Sequence, residues 1–353
     1  MTTMQAARLY QAGEPLKIES MPIPMPVANE ILVRVEACGL CGTDIHLAVD
    51  GDIPVQKSPI TLGHEAAGVV AEVAEGVSEF AVGDRVALFP SATCGHCRQC
   101  LSGRESLCES SKVYGMVRDG ALAEYVAAPV WSAVRIPDGV SFEEAAIVTD
   151  GVSTPFHALR SRGELKAGES VAVIGCGGLG THAILLAKMM GAGFIVAIDT
   201  QQTARDRAVE LGADLAIDPT GEMQPRKVIR QQLGGGVDMA LEFVGRSSAV
   251  ETGLSVLDTS GRLVIVGVGM ETPQLPPLVR FVGKEHSVIG SFGMDKRDIE
   301  DLLKLIARGR LDLGRSISAT YPLSDINKAL QRLASRNTDV VRLVIHPDSS
   351  MTA

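Results

Sequence analysis

Val171-Ala172-Val173-Ile174-Gly175-Cys176-Gly177-Gly178-Leu179-Gly180 runs from a short apolar strand through a glycine turn into an apolar helix that Gly191 stops. In that setting G-x-G-x-x-G reads as a phosphate-binding turn. Gly175 allows the tight turn, Gly177 lets a pyrophosphate approach the backbone, and Gly180 lets helix and strand pack closely. The helix start, at Gly178 and Leu179, adds unpaired amides and a partial positive charge. Tight turns alone produce many such matches, but here Asp199 ends the next strand, Phe194–Ile198, nineteen residues after Gly180. A carboxylate there accepts hydrogen bonds from both ribose hydroxyls and repels a 2′-phosphate, so NAD is expected over NADP. The competing reading is an aspartate that caps the following helix.

Outward from this turn the alternation continues. Ala204, Ala208 and Leu211 mark a helix face ending at Gly212, and Leu215–Ile217, Met239–Phe243, Leu263–Val266 and Val288–Ile289 are further strand candidates. Six strands with helices between most of them predict a doubly wound parallel sheet, an α/β Rossmann domain over residues 151–290. Upstream, residues 1–150 are β-rich. Ile31, Val33, Val35 and Ala37 alternate with Leu32, Arg34 and Glu36, and Glu65–Val73, Val82–Leu88 and Tyr125–Ala128 are short strand candidates between turns. Phe142–Ile147 follows the cap-like Ser141 and predicts a helix. Residues 291–353 predict helices at Asp298–Ala307 and Asp325–Ala334 and a strand at Val341–Ile345. A chain of 353 residues exceeds one core, so two domains are expected.

The net charge of −9, with no lysine or arginine run, argues against a nucleic-acid partner. The first residues, Met1 to Glu19, lack an apolar core with basic flanks, and no stretch is long and apolar enough to span a bilayer. A cytoplasmic enzyme with no membrane partner is expected. In that reducing setting the clustered cysteines among the seven are better read as metal ligands than as disulfides. Cys94-x2-Cys97-x2-Cys100-x7-Cys108 places four thiolates at spacings that close a tetrahedron around a structural zinc. An iron–sulfur cluster is the competing reading, but ferredoxin spacing continues x3-Cys-Pro, and here seven residues intervene before Cys108 and Glu109 follows.

A second set is scattered: Cys41-Gly42-Thr43-Asp44-Ile45-His46, then Gly63-His64-Glu65, then Thr149-Asp150. Taken singly, His64 could be an ordinary core histidine and Asp150 a helix cap. Together they offer a thiolate, an imidazole and a carboxylate, and three protein ligands with one open position are what a catalytic zinc requires.

With these motifs in order, the chain resembles the zinc-containing medium-chain alcohol dehydrogenase family from about residue 4 to residue 347. The resemblance implies a GroES-like catalytic domain, completed by the C-terminal segment, with the Rossmann domain inserted. It implies two zinc ions per chain and NAD as cofactor. Cys41, His64 and Asp150 would hold the catalytic zinc, with Glu65 a close neighbour and Asp44 orienting the far nitrogen of His64. Thr43 and His46 would carry the alcohol proton to solvent, and Arg342 would reach the cofactor pyrophosphate. The implied reaction moves hydride between an alcohol, a secondary alcohol or polyol, and NAD⁺, giving a ketone or aldehyde. Compact loops between Gly51 and Leu62 and between Val113 and Leu122 imply a homo-oligomer, a tetramer or dimer. The rival readings are a zinc-free quinone or enoyl reductase on the same fold, which needs no metal ligands, and a non-enzymatic nucleotide-binding protein.

Overall fold

A computed structural model describes residues 2–335 and 340–347. The chain divides into two compact units, Met1–Ser153 with Met294–Ala353, and Thr154–Gly293.

The second unit carries a six-stranded, all-parallel sheet. Its order is Leu215–Ile217, Phe194–Ile198, Ser170–Ile174, Val237–Glu242, Leu257–Ile265, Ser287–Gly290. This order, with the first strand central and the chain winding outward to each side, is the doubly wound Rossmann arrangement. Every side chain of Val171–Ile174 and Ile195–Ile198 is buried, which explains why these strands read as unbroken apolar runs rather than alternating ones. Helices Gly178–Met189, Gln202–Leu211, Pro225–Leu233 and Ser247–Val256 follow successive strands.

The first unit is built on a mixed sheet. Strand Glu30–Leu40 pairs antiparallel with Glu65–Val73, with Tyr125–Pro129 and with the C-terminal strand Arg342–His346. Strand Ile317–Pro322 lies parallel beside the last of these. A chain segment more than three hundred residues downstream of Cys38 thus completes the sheet, pairing Leu343 with Leu40 and Ile345 with Cys38. Ile31, Val33, Val35, Leu88, Ile326, Leu343 and Ile345 belong to one buried core beneath it. Helix Phe142–Ile147 begins at Ser141, whose hydroxyl accepts from the Glu144 amide at 3.1 Å while the Glu144 carboxylate accepts from the Ser141 amide. Such a reciprocal cap is worth about 1 kcal/mol.

The chain does not stop being helical at Ile147. A wider π turn, Val148–Val152, continues it, and a second π turn, His46–Asp50, extends the short helix Gly42–Ile45. Single π turns shift the side chains that follow them and recur at functional sites. Here they carry Asp150 and His46.

Candidate active site

Cys41 ends strand Glu30–Leu40 and caps helix Gly42–Ile45. Its amide donates to the Asp44 carboxylate at 2.9 Å. His64 precedes strand Glu65–Val73, which runs beside Glu30–Leu40 with Gly39 opposite Glu65. The π turn then brings Asp150 to the same place. Cys41 Sγ lies 3.2 Å from Asp150 Oδ2, and His64 Nε2 lies 3.6 Å from that oxygen. Zinc bonds of about 2.3 Å to sulfur and about 2.0 Å to nitrogen or oxygen, at tetrahedral angles, set neighbouring donors about 3.5 Å apart. The spacing fits.

The charges fit as well. Burial, with the Asp150 carboxylate close by, pushes the Cys41 thiol up. Burial opposes the charged form of His64, but Asp150 and Cys41 outweigh it and hold the imidazole well above its usual range. A dication reverses both pressures, because thiolate and carboxylate together offer two negative charges and a neutral imidazole completes the set. Asp44 Oδ1 and His64 Nδ1 are buried and face each other at 3.9 Å, longer than a hydrogen bond, and neither has another hydrogen-bond partner.

Glu65 is fully buried in the same cluster. Burial pushes its carboxyl up to about 8, with Arg342 the main opposing influence. Arg342, expected at the cofactor pyrophosphate, has its observed partners within its own unit. Strand pairing carries it inward, where it is 3% exposed, ion-paired with Glu65 at 3.2 Å and donating to the Leu40 carbonyl at 3.2 Å.

Thr43 is half-buried, with its hydroxyl 3.8 Å from Cys41 Sγ. His46 is more open, at 45% side-chain exposure.

In the four-cysteine lobe, Cys94 Sγ and Cys97 Sγ lie 3.9 and 3.6 Å from Cys100 Sγ. These are the separations of thiolates sharing a tetrahedral ion, about 3.8 Å for two Zn–S bonds, and far beyond a disulfide bond of about 2.05 Å. All four sulfurs lie within 4.8 Å of one another. The sequence reading missed the buttress behind them: Trp131 donates from its indole nitrogen to the Thr93 carbonyl at 2.7 Å, against the turn at Gly95.

In the second unit, helix Gly178–Met189 starts at Gly177 with no side-chain cap, and the Gly177 backbone is exposed. The first amides of the helix are thus open to an anion. A Cβ at Gly180 would run into the Gly175 carbonyl, so only glycine allows this helix to pack so near the strand end. Asp199 Oδ2 accepts from the Cys176 amide at 2.7 Å and Oδ1 from the Gln201 amide at 2.8 Å. Each oxygen keeps a lone pair for a ribose hydroxyl, and the loop and the carboxylate are held together. Arg207, unmarked by any motif, braces the same loop by donating to the Cys176 carbonyl at 2.8 Å and to the Thr181 hydroxyl at 3.2 Å.

Residues 27–138 match the family described as Alcohol dehydrogenase GroES-like domain, and residues 178–308 the family described as Zinc-binding dehydrogenase. An alcohol dehydrogenase from Geobacillus stearothermophilus is 37% identical over 333 residues, covering 94% of this chain and 96% of the relative. The chain belongs to the zinc-type medium-chain alcohol dehydrogenase family. A sorbitol dehydrogenase from Bacillus subtilis is 31% identical over 348 residues, with 98% of each chain covered. The solved structure of 2R,3R-butanediol dehydrogenase from Bacillus subtilis superposes with a TM-score of 0.88 at 30% identity, covering 98% of this chain and all of that one. Members of the family combine a GroES-like unit with a Rossmann unit, and the two sheets described above are those units.

Proposed function

We propose that this protein oxidises a secondary alcohol or polyol with NAD⁺ and reduces the matching ketone in reverse. The observation that carries the reading is the gathering of Cys41, His64 and Asp150 in one buried cluster with the Thr43 hydroxyl beside it. A zinc-free reductase on the same fold needs no such donor set, and a protein that only binds nucleotides needs neither the donors nor Thr43. Zinc held by Cys41, His64 and Asp150 would supply Lewis acidity toward the alcohol oxygen, and bound NAD⁺ would supply the hydride acceptor. The chain's residues do the rest. Cys41, His64 and Asp150 hold the metal. Thr43 Oγ1 would accept the substrate hydroxyl's proton as its own hydrogen passes on, by way of the cofactor ribose, to His46 and then to solvent. Glu65, neutral or anionic near pH 8, lies near enough to alter the charge around the donors.

NAD is bound by the amides at Gly177, Gly178, Leu179 and Gly180 and by Asp199. Asp199→Gly lowers the efficiency ratio of NAD⁺ over NADP⁺ by about ten- to a hundredfold, the worth of one or two hydrogen bonds to a charged group. An unchanged ratio would remove Asp199 from the recognition of ribose. A second, structural zinc sits on Cys94, Cys97, Cys100 and Cys108, making two per chain. In Cys100→Ala, elemental analysis should find one zinc per chain and proteolysis should cut first within residues 94–108, since that loop has little core of its own.

Homo-oligomerisation, as a tetramer or dimer, is supported by exposed Leu278, Val279 and Val282 on the short helix that leads into Ser287–Gly290, the edge strand of the parallel sheet, and by exposed Phe292 just after it. Among the described residues no helix is long and apolar enough to cross a membrane. A cytoplasmic location is part of this proposal. The activity is tested by following NADH formation across primary alcohols, secondary alcohols and polyols, with and without chelator. A chelator-sensitive signal with secondary alcohols or polyols supports the reading, and silence from a zinc-loaded protein across that panel overturns the substrate class.

A further inference from the structure

The π turn His46–Asp50 ends at Gly51, whose backbone is left-handed at φ 69°, and the Gly51 amide closes the turn on the His46 carbonyl at 2.9 Å. A residue with a side chain is strained in that conformation, so glycine is what lets the chain double back here. The reversal sets the next residue, Asp52, beside the ring it has just passed. His46 Nδ1 lies 3.0 and 3.1 Å from the two Asp52 carboxylate oxygens, and 3.6 Å from Asp50 Oδ2. Nothing in the spacing of the sequence marks Asp52, because residues six apart in a helix do not meet. The break at Gly51 makes the contact.

We propose that Asp52 is a positioning residue that selects the working tautomer of His46. This rests on the proton relay proposed above. A carboxylate only accepts, so the nitrogen that faces it carries the hydrogen. Nδ1–H donating to Asp52 leaves the lone pair on Nε2, and the relayed proton forms its bond there and leaves from there to water. In the opposite tautomer Nδ1 would set its lone pair against the carboxylate, and Nε2, already bearing hydrogen, could accept nothing. Asp52 thereby fixes which edge of the ring is the proton port and keeps the ring from turning over between cycles. Asp50 Oδ2, farther from Nδ1 at 3.6 Å, adds negative charge on the same side of the ring. The pair is exposed, at 45% for His46 and 59% for Asp52, which limits the size of the effect.

The test measures the single-turnover rate of NADH formation in the zinc-loaded enzyme, the dissociation constant of NAD⁺, and the nitrogen-15 spectrum of histidine-labelled protein. His46→Ala identifies the His46 signals by their disappearance. Asp52→Ala should slow the single-turnover rate by about three- to tenfold, below the usual effect of a buried partner that orients a histidine because this pair is exposed, with affinity for NAD⁺ unchanged. Asp52→Asn, whose amide can turn to donate to a bare Nδ1 as readily as it accepts from Nδ1–H, no longer selects one tautomer and should be slow like Asp52→Ala, whereas Asp52→Glu, which keeps an acceptor-only carboxylate, should recover most of the rate. The spectrum should show Nδ1–H in the parent and a mixture in Asp52→Ala and Asp52→Asn. A tautomer unchanged in Asp52→Ala overturns the proposal, as does an Asp52→Asn that keeps the parental rate with a mixed tautomer. If His46→Ala is slow while Asp52→Ala matches the parent, Asp52 is excluded and the relay stands. A fully active His46→Ala ends the relay, and the proposal with it.

Discussion

Asp150→Asn yields a folded chain that binds its active-site zinc poorly and oxidises alcohols at least about a hundredfold more slowly, exceeding what partners outside the ligand set typically contribute. The reason lies in charge and in one oxygen. Asp150 Oδ2 is the atom shared by the two close contacts of the cluster, 3.2 Å from Cys41 Sγ and 3.6 Å from His64 Nε2. Asparagine keeps the shape but halves the negative charge that thiolate and carboxylate offer a dication. Zinc per chain should fall while the four-cysteine lobe keeps its own ion and thermal unfolding changes little. A variant with parental metal content and activity would remove Asp150 from the donor set and the charge balance with it.

Thr43→Val acts without touching the metal. It leaves zinc content and NAD⁺ affinity as they were and lowers alcohol oxidation by about 10²–10⁴-fold, the usual contribution of a positioned proton acceptor. Valine matches threonine in volume but offers no oxygen 3.8 Å from Cys41 Sγ. Thr43→Ser, which keeps the hydroxyl, should restore most of the rate. Equal rates for valine and threonine would take Thr43 out of the relay.

Local signals in the sequence carried much of this architecture. Strand Glu65–Val73 and helix Phe142–Ile147 end where their patterns and the Ser141 cap place them. In the parallel sheet, burial on both faces made short apolar runs such as Val171–Ile174 recognisable. Strand Thr3–Leu9 escaped because Ala6 and Ala7 are both buried, which breaks the alternation expected of a half-covered strand. Ile317–Pro322 is stabilised by a parallel neighbour rather than by a local turn, so its own residues carry little signal. Helix Pro225–Leu233 could have been found, since Pro225 opens it and Gly234 closes it in the left-handed region.

At the site, residue types at known spacings were legible and their partners were not. Cys41, His64 and Asp150 meet in space. The engagement of Arg342 by Glu65 depends on a strand register set across the whole chain, and the contact of Asp52 with His46 depends on a reversal at one glycine. Neither π turn has a side-chain signature, because each is a backbone adjustment to what surrounds it.

The pairing of Leu343 with Leu40 sets a timetable for the molecule as it is made. The strands of the parallel sheet lie between Ser170 and Gly290, so a growing chain can complete that sheet well before synthesis ends. The metal cluster has no such freedom. Cys41, His64 and Asp150 emerge early, yet Arg342 and its strand leave the ribosome about two hundred residues after the last of them. Until Arg342–His346 pairs with Glu30–Leu40, the sheet beside Cys41 lacks a neighbour strand and Glu65 lacks its arginine, so the burial of this cluster is finished by the part of the chain farthest from it in sequence.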